Sequence, residues 1–171
     1  MRRLSCFVLA AFAATLVAPA RAEESGCDKF AWPVQSEQKL LQSADRTPAS
    51  SGKSFDGWPD RAVELTLLRL DRVAFEKLPE RAPKDANSFA GLLKIEKAPS
   101  GVVEIGLSVN AWVDAIQDER YLRPTAHSGA RDCPGIRKVV KFELRRGPVT
   151  FQFSGVEGDR LVVLVTGASA R

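Results

Sequence analysis

The densest run of side chains that could do chemistry is His127-Ser128-Gly-Ala-Arg131-Asp132-Cys133-Pro-Gly-Ile-Arg137-Lys138. Arg131 and Arg137 carry forked donors that suit a carboxylate or a sulfate. The plainer reading, and the favoured one, is that Arg131 and Asp132 satisfy each other and the local backbone. A hydrolase would draw on His127, Ser128 and Asp132. Triad members normally converge from separate elements, because sequence neighbours rarely point at one another. The chain also has no Gly-x-Ser-x-Gly elbow.

Other chemistries are poorly supplied. His127 is the only histidine. A mononuclear iron site usually asks for two histidines and a carboxylate, and catalytic zinc for two or three nitrogen ligands. No metal ligand set and no cofactor is therefore expected. Calcium on loop carboxylates stays open, without an ordered Asp/Gly loop behind it. Ser51-Gly52-Lys53-Ser54 echoes the end of a phosphate-binding loop, but Thr47 stands where that loop needs its first glycine.

Aromatic residues offer a second candidate. Trp32, Trp58, Trp112 and Tyr121 could together stack on a sugar, although in a small β protein tryptophans more often pack the core. If the Trp112 run is extended, Asp114 shares a face with Trp112 and needs a partner beside an apolar patch. The candidate ligand-binding residues are thus Trp112, Asp114, His127, Arg131, Asp132 and Arg137.

These residues must be positioned by short extended segments. Val63, Leu65 and Leu67 step by two, as do Val103, Ile105, Leu107 and Val109. Val140, Phe142 and Leu144 alternate with Lys141 and Glu143, and Val149, Phe151 and Phe153 with Thr150 and Gln152. Leu161, Val163 and Val165 close the series. Such runs predict strands buried on one face. Phe89 to Ile95 and Trp112 to Ile116 are weaker candidates. Pro99-Ser100-Gly101, Gly147-Pro148 and the stretch from Gly155 to Asp159 read as turns between antiparallel neighbours. Pro33 to Ser43 predicts a short helix. Asp45 to Trp58 reads as a flexible surface loop, and Leu78 to Asn87 as a second, Pro-rich one. The expected fold is all-β: an antiparallel sandwich or jelly roll of about seven or eight strands with a short N-terminal helix.

The chain start bears on compartment. Arg2 and Arg3 precede an apolar stretch from Leu4 to Val17, and Ala20-Arg21-Ala22 follows with small residues at the two cleavage positions. This is a secretory signal pattern over residues 1–22, too short to span a bilayer comfortably. Its removal takes three arginines and leaves 22 basic residues against 21 acidic, a net charge of +1 instead of +4. A nearly neutral surface gives nucleic acid no electrostatic hold, and no membrane span is expected after cleavage. Of the three cysteines, Cys6 leaves with the signal. Cys27 and Cys133 remain for an oxidising compartment, where pairing is expected; two free buried thiols are the alternative. Residues 23–60 form the helix-and-loop segment and residues 61–171 the sandwich, together one structural domain.

From Cys27-Asp-Lys-Phe-Ala-Trp-Pro-Val onward the chain resembles a group of small exported proteins of Gram-negative bacteria. The stretches that carry this are Ser88-Phe-Ala-Gly91, Ala111-Trp-Val-Asp114, Pro124-Thr-Ala-His-Ser128 and Asp132-Cys-Pro-Gly-Ile-Arg137. Some members carry a homogentisate dioxygenase label. Gly101-Val-Val-Glu-Ile and Leu144-Arg-Arg-Gly147-Pro-Val-Thr-Phe are, as a pattern, similar to pre-peptidase C-terminal β-sandwich domains. That likeness implies a non-catalytic accessory module.

The expectation is a periplasmic or secreted binding or accessory module whose ligand is a glycan or another envelope protein. The rivals are a hydrolase-like enzyme using the 127–137 loop and a structural envelope component. A deep pocket holding His127 and Asp132 would favour the enzyme, and an exposed aromatic strip would favour glycan binding.

Overall fold

The computed structural model describes residues 26–167, so the signal read at 1–22 lies outside the described residues. One α-helix, α1 (Gln35–Gln42), precedes twelve strands. These are β1 (Thr47–Ser50), β2 (Lys53–Phe55), β3 (Val63–Thr66), β4 (Leu68–Arg69), β5 (Phe89–Ala98) and β6 (Gly101–Leu107). They continue as β7 (Trp112–Gln117), β8 (Arg120–Leu122), β9 (Ala126–Gly129), β10 (Lys138–Leu144), β11 (Gly147–Val156) and β12 (Arg160–Gly167). The first sheet runs β1-β3-β12-β6-β10-β9. The second runs β2-β5-β11-β7-β8, with β4 lying end to end with β2 along the same edge of β5.

The main core lies between the sheets. Alternate residues of the first sheet, such as Val103, Ile105, Phe142, Leu161 and Val163, meet Leu93, Ile95, Val113, Phe151 and Phe153 of the second in one buried cluster. Phe142 and Phe151 face each other across the layers with ring centroids 6.3 Å apart. Each such fully buried ring stabilises the fold by about 1.5–3 kcal/mol relative to exposure.

The structure corrects the expectation in four respects. The described residues form twelve strands instead of the expected seven or eight. The sheets are mixed, because β1 pairs parallel with β3 and β2 parallel with β5. The stretch read as a loop from Asp45 to Trp58 supplies both of those strands. Its Ser/Gly/Pro-rich residues pair only at sheet edges, where weak strand formers are tolerated. Finally, the three turns expected to join neighbours all carry the chain from one sheet to the other. The 99–101 turn joins β5 to β6, Gly147 opens β11 after β10, and 157–159 joins β11 to β12.

The reason lies in the flanking residues. Ala98 and Val103, and likewise Leu144 and Val149, all belong to the same inter-sheet core. A turn that keeps both flanks on one interior must swing between layers. Glycine and proline mark where a chain reverses but not which layer it enters. Gln117–Arg120 does form a tight hairpin, with left-handed φ of 50° at Asp118 and 59° at Glu119.

The two outer faces are covered differently. The N-terminal segment and α1 lie on the first sheet through an apolar cluster in which Phe30, Val34 and Leu41 meet Val139, Val162 and Leu164. The disulfide Cys27–Cys133 ties this cover to the loop before β10. The second sheet is covered instead by the irregular 76–85 segment, through polar contacts. Thr150, Gln152 and Ser154 of β11 are buried there, so this strand is buried on both faces and not on one.

Candidate functional site

The outer face of the second sheet is built from cross-strand pairs between β11 and β7. Gln152 sits opposite Asp114, and Ser154 opposite Trp112. All four side chains share a face, because alternate residues of a strand point the same way. Over Gln152 and Asp114 the 76–81 stretch lies as a strap. Gln152 Oε1 accepts from the amides of Glu76 at 2.9 Å and Lys77 at 3.3 Å, while its Nε2 donates to the Lys77 carbonyl at 2.8 Å. Thr150 Oγ1 donates to Glu76 Oε2 at 2.6 Å, and the Tyr121 hydroxyl donates to the Leu78 carbonyl.

Asp114 finds the partners its position demanded. Trp112 Nε1 donates to Asp114 Oδ1 at 2.7 Å, and the Glu80 amide donates to Oδ2 at 3.3 Å. Burial nevertheless holds its carboxyl above the usual aspartate value, against the pull of those two hydrogen bonds and with help from the Glu80 charge. Tyr121 is raised as well, by desolvation first and then by the charges of Asp114 and Glu80.

Where the strap runs on past Glu80, a cleft opens. It has a volume of about 370 Å³ and lies between the 81–85 stretch, Trp112, Ser154 and Glu157. The Arg81 guanidinium is 5.5 Å from the Trp112 ring centroid and the Lys138 ammonium 5.7 Å from it. Lys138 Nζ also donates to the Ala111 carbonyl at 3.0 Å. Ser154 is only 1% exposed, and its hydroxyl has no hydrogen-bond partner among the described residues.

A second cleft, of about 610 Å³, adjoins the first and shares Asn110, Gly155 and Glu157 with it. Arg131, Asp132 and Arg137 line it. The loop that carries them is pinned from several sides. Cys133 is bridged to Cys27, the Gly26 amide donates to the Arg131 carbonyl at 2.6 Å, and Arg137 Nη1 donates to the Ala130 carbonyl at 3.1 Å. Asp132 takes a left-handed φ of 58°, a conformation that its short polar side chain tolerates.

The candidate residues therefore separate. Trp112 borders the first cleft, Arg131, Asp132 and Arg137 border the second, and Asp114 lies beside the first beneath the strap. His127 is exposed on the edge strand β9, opposite Val140, and lines neither cleft. Its neighbour Ser128 is buried on the opposite face, under the N-terminal segment, and accepts from the Ala31 amide at 2.8 Å. The four aromatics do not form one strip. Trp32 lies on the first sheet's outer cluster beneath the Lys141 ammonium, Trp58 packs on the main core, and Trp112 and Tyr121 flank the strap. Ser51 and Gly52 form the turn that hands the chain from β1 to β2. Their amides bond to the Thr66 carbonyl in one sheet and the Leu92 carbonyl in the other.

Sequence reasoning passed over Gln152, Ser154, Arg81, Asn110 and Glu157. The available signal was a polar triplet at 150, 152 and 154 in a strand whose other face is aromatic. Among the described residues no three His, Cys, Asp or Glu side chains gather as a metal-binding group. No described helix is long and apolar enough to cross a membrane. No known family model, no curated protein and no solved structure matches the chain.

Proposed function

We propose that this protein is an exported, non-catalytic β-sandwich module of the cell envelope, and that it binds a glycan or an envelope protein in the groove made by the two clefts. The observation that carries the reading is that the two clefts adjoin, with Asn110, Gly155 and Glu157 lining both. Together the clefts gather six basic residues and three acidic ones, on a chain whose balance without the leader is close to neutral. Concave, largely pre-formed sites of a few hundred Å³ are where ligands seat, with placed polar groups fixing their orientation. The placement of export rests on the N-terminal signal pattern and is compatible with the Cys27–Cys133 bridge.

The test is retention of ligand from an envelope extract and on an oligosaccharide array. The wild type is compared with the double variant Asn110→Ala/Glu157→Ala. Both side chains are exposed, so stability should change by no more than about 0.5 kcal/mol. The expected result is a selectively retained glycan or envelope protein whose binding drops about tenfold or more in the variant. Equal retention by both proteins would remove the groove as the site.

A further inference from the structure

Resting on that reading and narrowing it, we infer that the cleft at the Trp112–Ser154 pair is a subsite for a carboxylated sugar residue, with Arg81 taking the carboxylate and Ser154 a ring hydroxyl. Two observations point there independently. The first is the Ser154 hydroxyl, buried to 1% exposure at the wall of an open cleft without a hydrogen-bond partner among the described residues. A buried hydroxyl normally finds a partner, so one that has none on the protein and borders a cleft is placed to bond what enters. The second is Arg81. Its guanidinium is held 5.5 Å from the Trp112 ring centroid and has no carboxylate partner among the described residues. A guanidinium within cation–π range of an aromatic ring keeps forked N–H donors to offer a planar carboxylate.

The rest of the lining selects a sugar acid over an acidic peptide. Asp85 and Glu157 line the same cleft as Arg81, Lys84 and Lys138, and Asn110 lines it too. A sugar hydroxyl donates and accepts at once, so it is satisfied by neighbours of both kinds. The side-chain carboxylates of an acidic peptide offer no donor to Asp85 or Glu157 and are repelled by both, so only its backbone amides and N-terminus can donate there. The first cleft adjoins the second, larger one at Asn110, Gly155 and Glu157, and Arg131 and Arg137 are in that second lining. The ligand is therefore a segment of an acidic oligosaccharide running through both clefts.

Trigalacturonate, monomeric galacturonate, the neutral trisaccharide maltotriose and a triglutamate peptide would each be titrated into the full protein by calorimetry and amide NMR. Trigalacturonate is expected to bind and to shift the Trp112 indole and Ser154 signals. Arg81→Gln should weaken it about tenfold, the usual worth of a charge-assisted hydrogen bond. Ser154→Ala should weaken it severalfold while leaving stability unchanged or raised, because its hydroxyl bonds nothing in the protein. Galacturonate binding as tightly as the trimer would support the subsite with a free sugar acid as its source. Maltotriose binding equally well would overturn the carboxylate assignment and leave the glycan-binding reading standing. Preference for triglutamate, unchanged affinity in both variants, or no saccharide binding at all would overturn the inference. Retention from the envelope extract decides the broader reading separately.

Discussion

The side-chain amide of Gln152 is joined to the main chain of Lys77 in both directions, accepting from its amide and donating to its carbonyl. It reproduces with a side chain what one rung of a sheet does with a backbone. The strap across the second sheet is held in this way although the 76–81 stretch forms no strand. A second buried glutamine does the same elsewhere. Gln117 Oε1 accepts from the Arg145 amide at 2.9 Å and its Nε2 donates to the Arg145 carbonyl at 2.8 Å. That clamp fixes the point where the chain leaves the first sheet for the second.

The strap should therefore open when the clamp is removed without removing volume. Gln152→Met leaves two strap amides and one carbonyl without their partners, at a cost of about 2 kcal/mol once water relieves part of the loss. Hydrogen exchange should quicken at Glu76, Lys77 and Glu80, while the core amides of Leu93 and Ile105 keep their protection. Unaltered protection at Glu76 and Lys77 would show that the strap is held by something other than Gln152.

Asp114 gives the strap a pH dependence of definite sign. Its carboxyl titrates above its ordinary value of 3.8 because burial disfavours the charged form. A carboxyl whose folded value is raised contributes stability that is fully present below its unfolded value and is lost as pH rises through the folded one. Wild type measured against Asp114→Asn should thus gain relative stability as pH falls from neutrality. Taking the difference cancels the opposing effect of Glu64, which hydrogen bonds from Arg160 and then Arg46 hold below its ordinary value. A carboxyl NMR titration should place the Asp114 midpoint above 3.8, and a midpoint at or under that value would reverse the sign.

Much of this was legible from side-chain alternation. Val63 and Leu65, Val103 to Leu107, the run after Val140 and the last two strands lie where their period of two puts them, whereas Val109 falls past the end of its strand and is exposed. The pairing of Cys27 with Cys133 was legible too, from the two cysteines that lie outside the expected leader. Layer assignment was not, because Pro99 and Gly147 carry the same turn chemistry whether a chain folds back or crosses over. The cover of the second sheet was equally hidden. Thr150 and Gln152 look solvent-facing in a pattern, yet the distant 76–77 segment bonds to both, through the Glu76 carboxylate and the backbone, and they are buried. His127 drew attention by its side chain, yet it sits opposite Val140 on the edge strand β9 and stays exposed, while Ser128, opposite Val139, is buried beneath the N-terminal cover.

Gly135 is the point where the disulfide loop passes α1. Its φ is +77°, and an added Cβ would collide with the Gln42 side chain. Gln42 and Gln38 both donate to the Pro134 carbonyl, at 2.9 Å and 2.7 Å, so the helix and loop have little slack. Gly135→Ala should cost about 1–2 kcal/mol, combining backbone strain with the clash. Adding Gln42→Ala should return the steric part and leave the backbone part, a coupling that urea unfolding of the four proteins in the cycle would reveal. Strict additivity would place the whole cost in the backbone.

The bridge itself offers the largest single effect. Cys27 and Cys133 are 106 positions apart, so the closed loop contains most of the described chain. Closing a loop of that length restricts the unfolded ensemble by about 4–5 kcal/mol in the chain-entropy account. The native core does not depend on it, since the inter-sheet cluster contains neither cysteine. Cys27→Ser/Cys133→Ser should therefore keep the far-ultraviolet signature of the sheets while its guanidinium midpoint falls steeply. The loop bearing Arg131, Asp132 and Arg137 would lose its tether to residue 27, and exchange at Gly135 and Ile136 should rise more than the global change explains. A variant as stable as the wild type under non-reducing conditions would mean that the N-terminal cover is held by Phe30, Val34 and Leu41 alone, with the covalent link adding nothing.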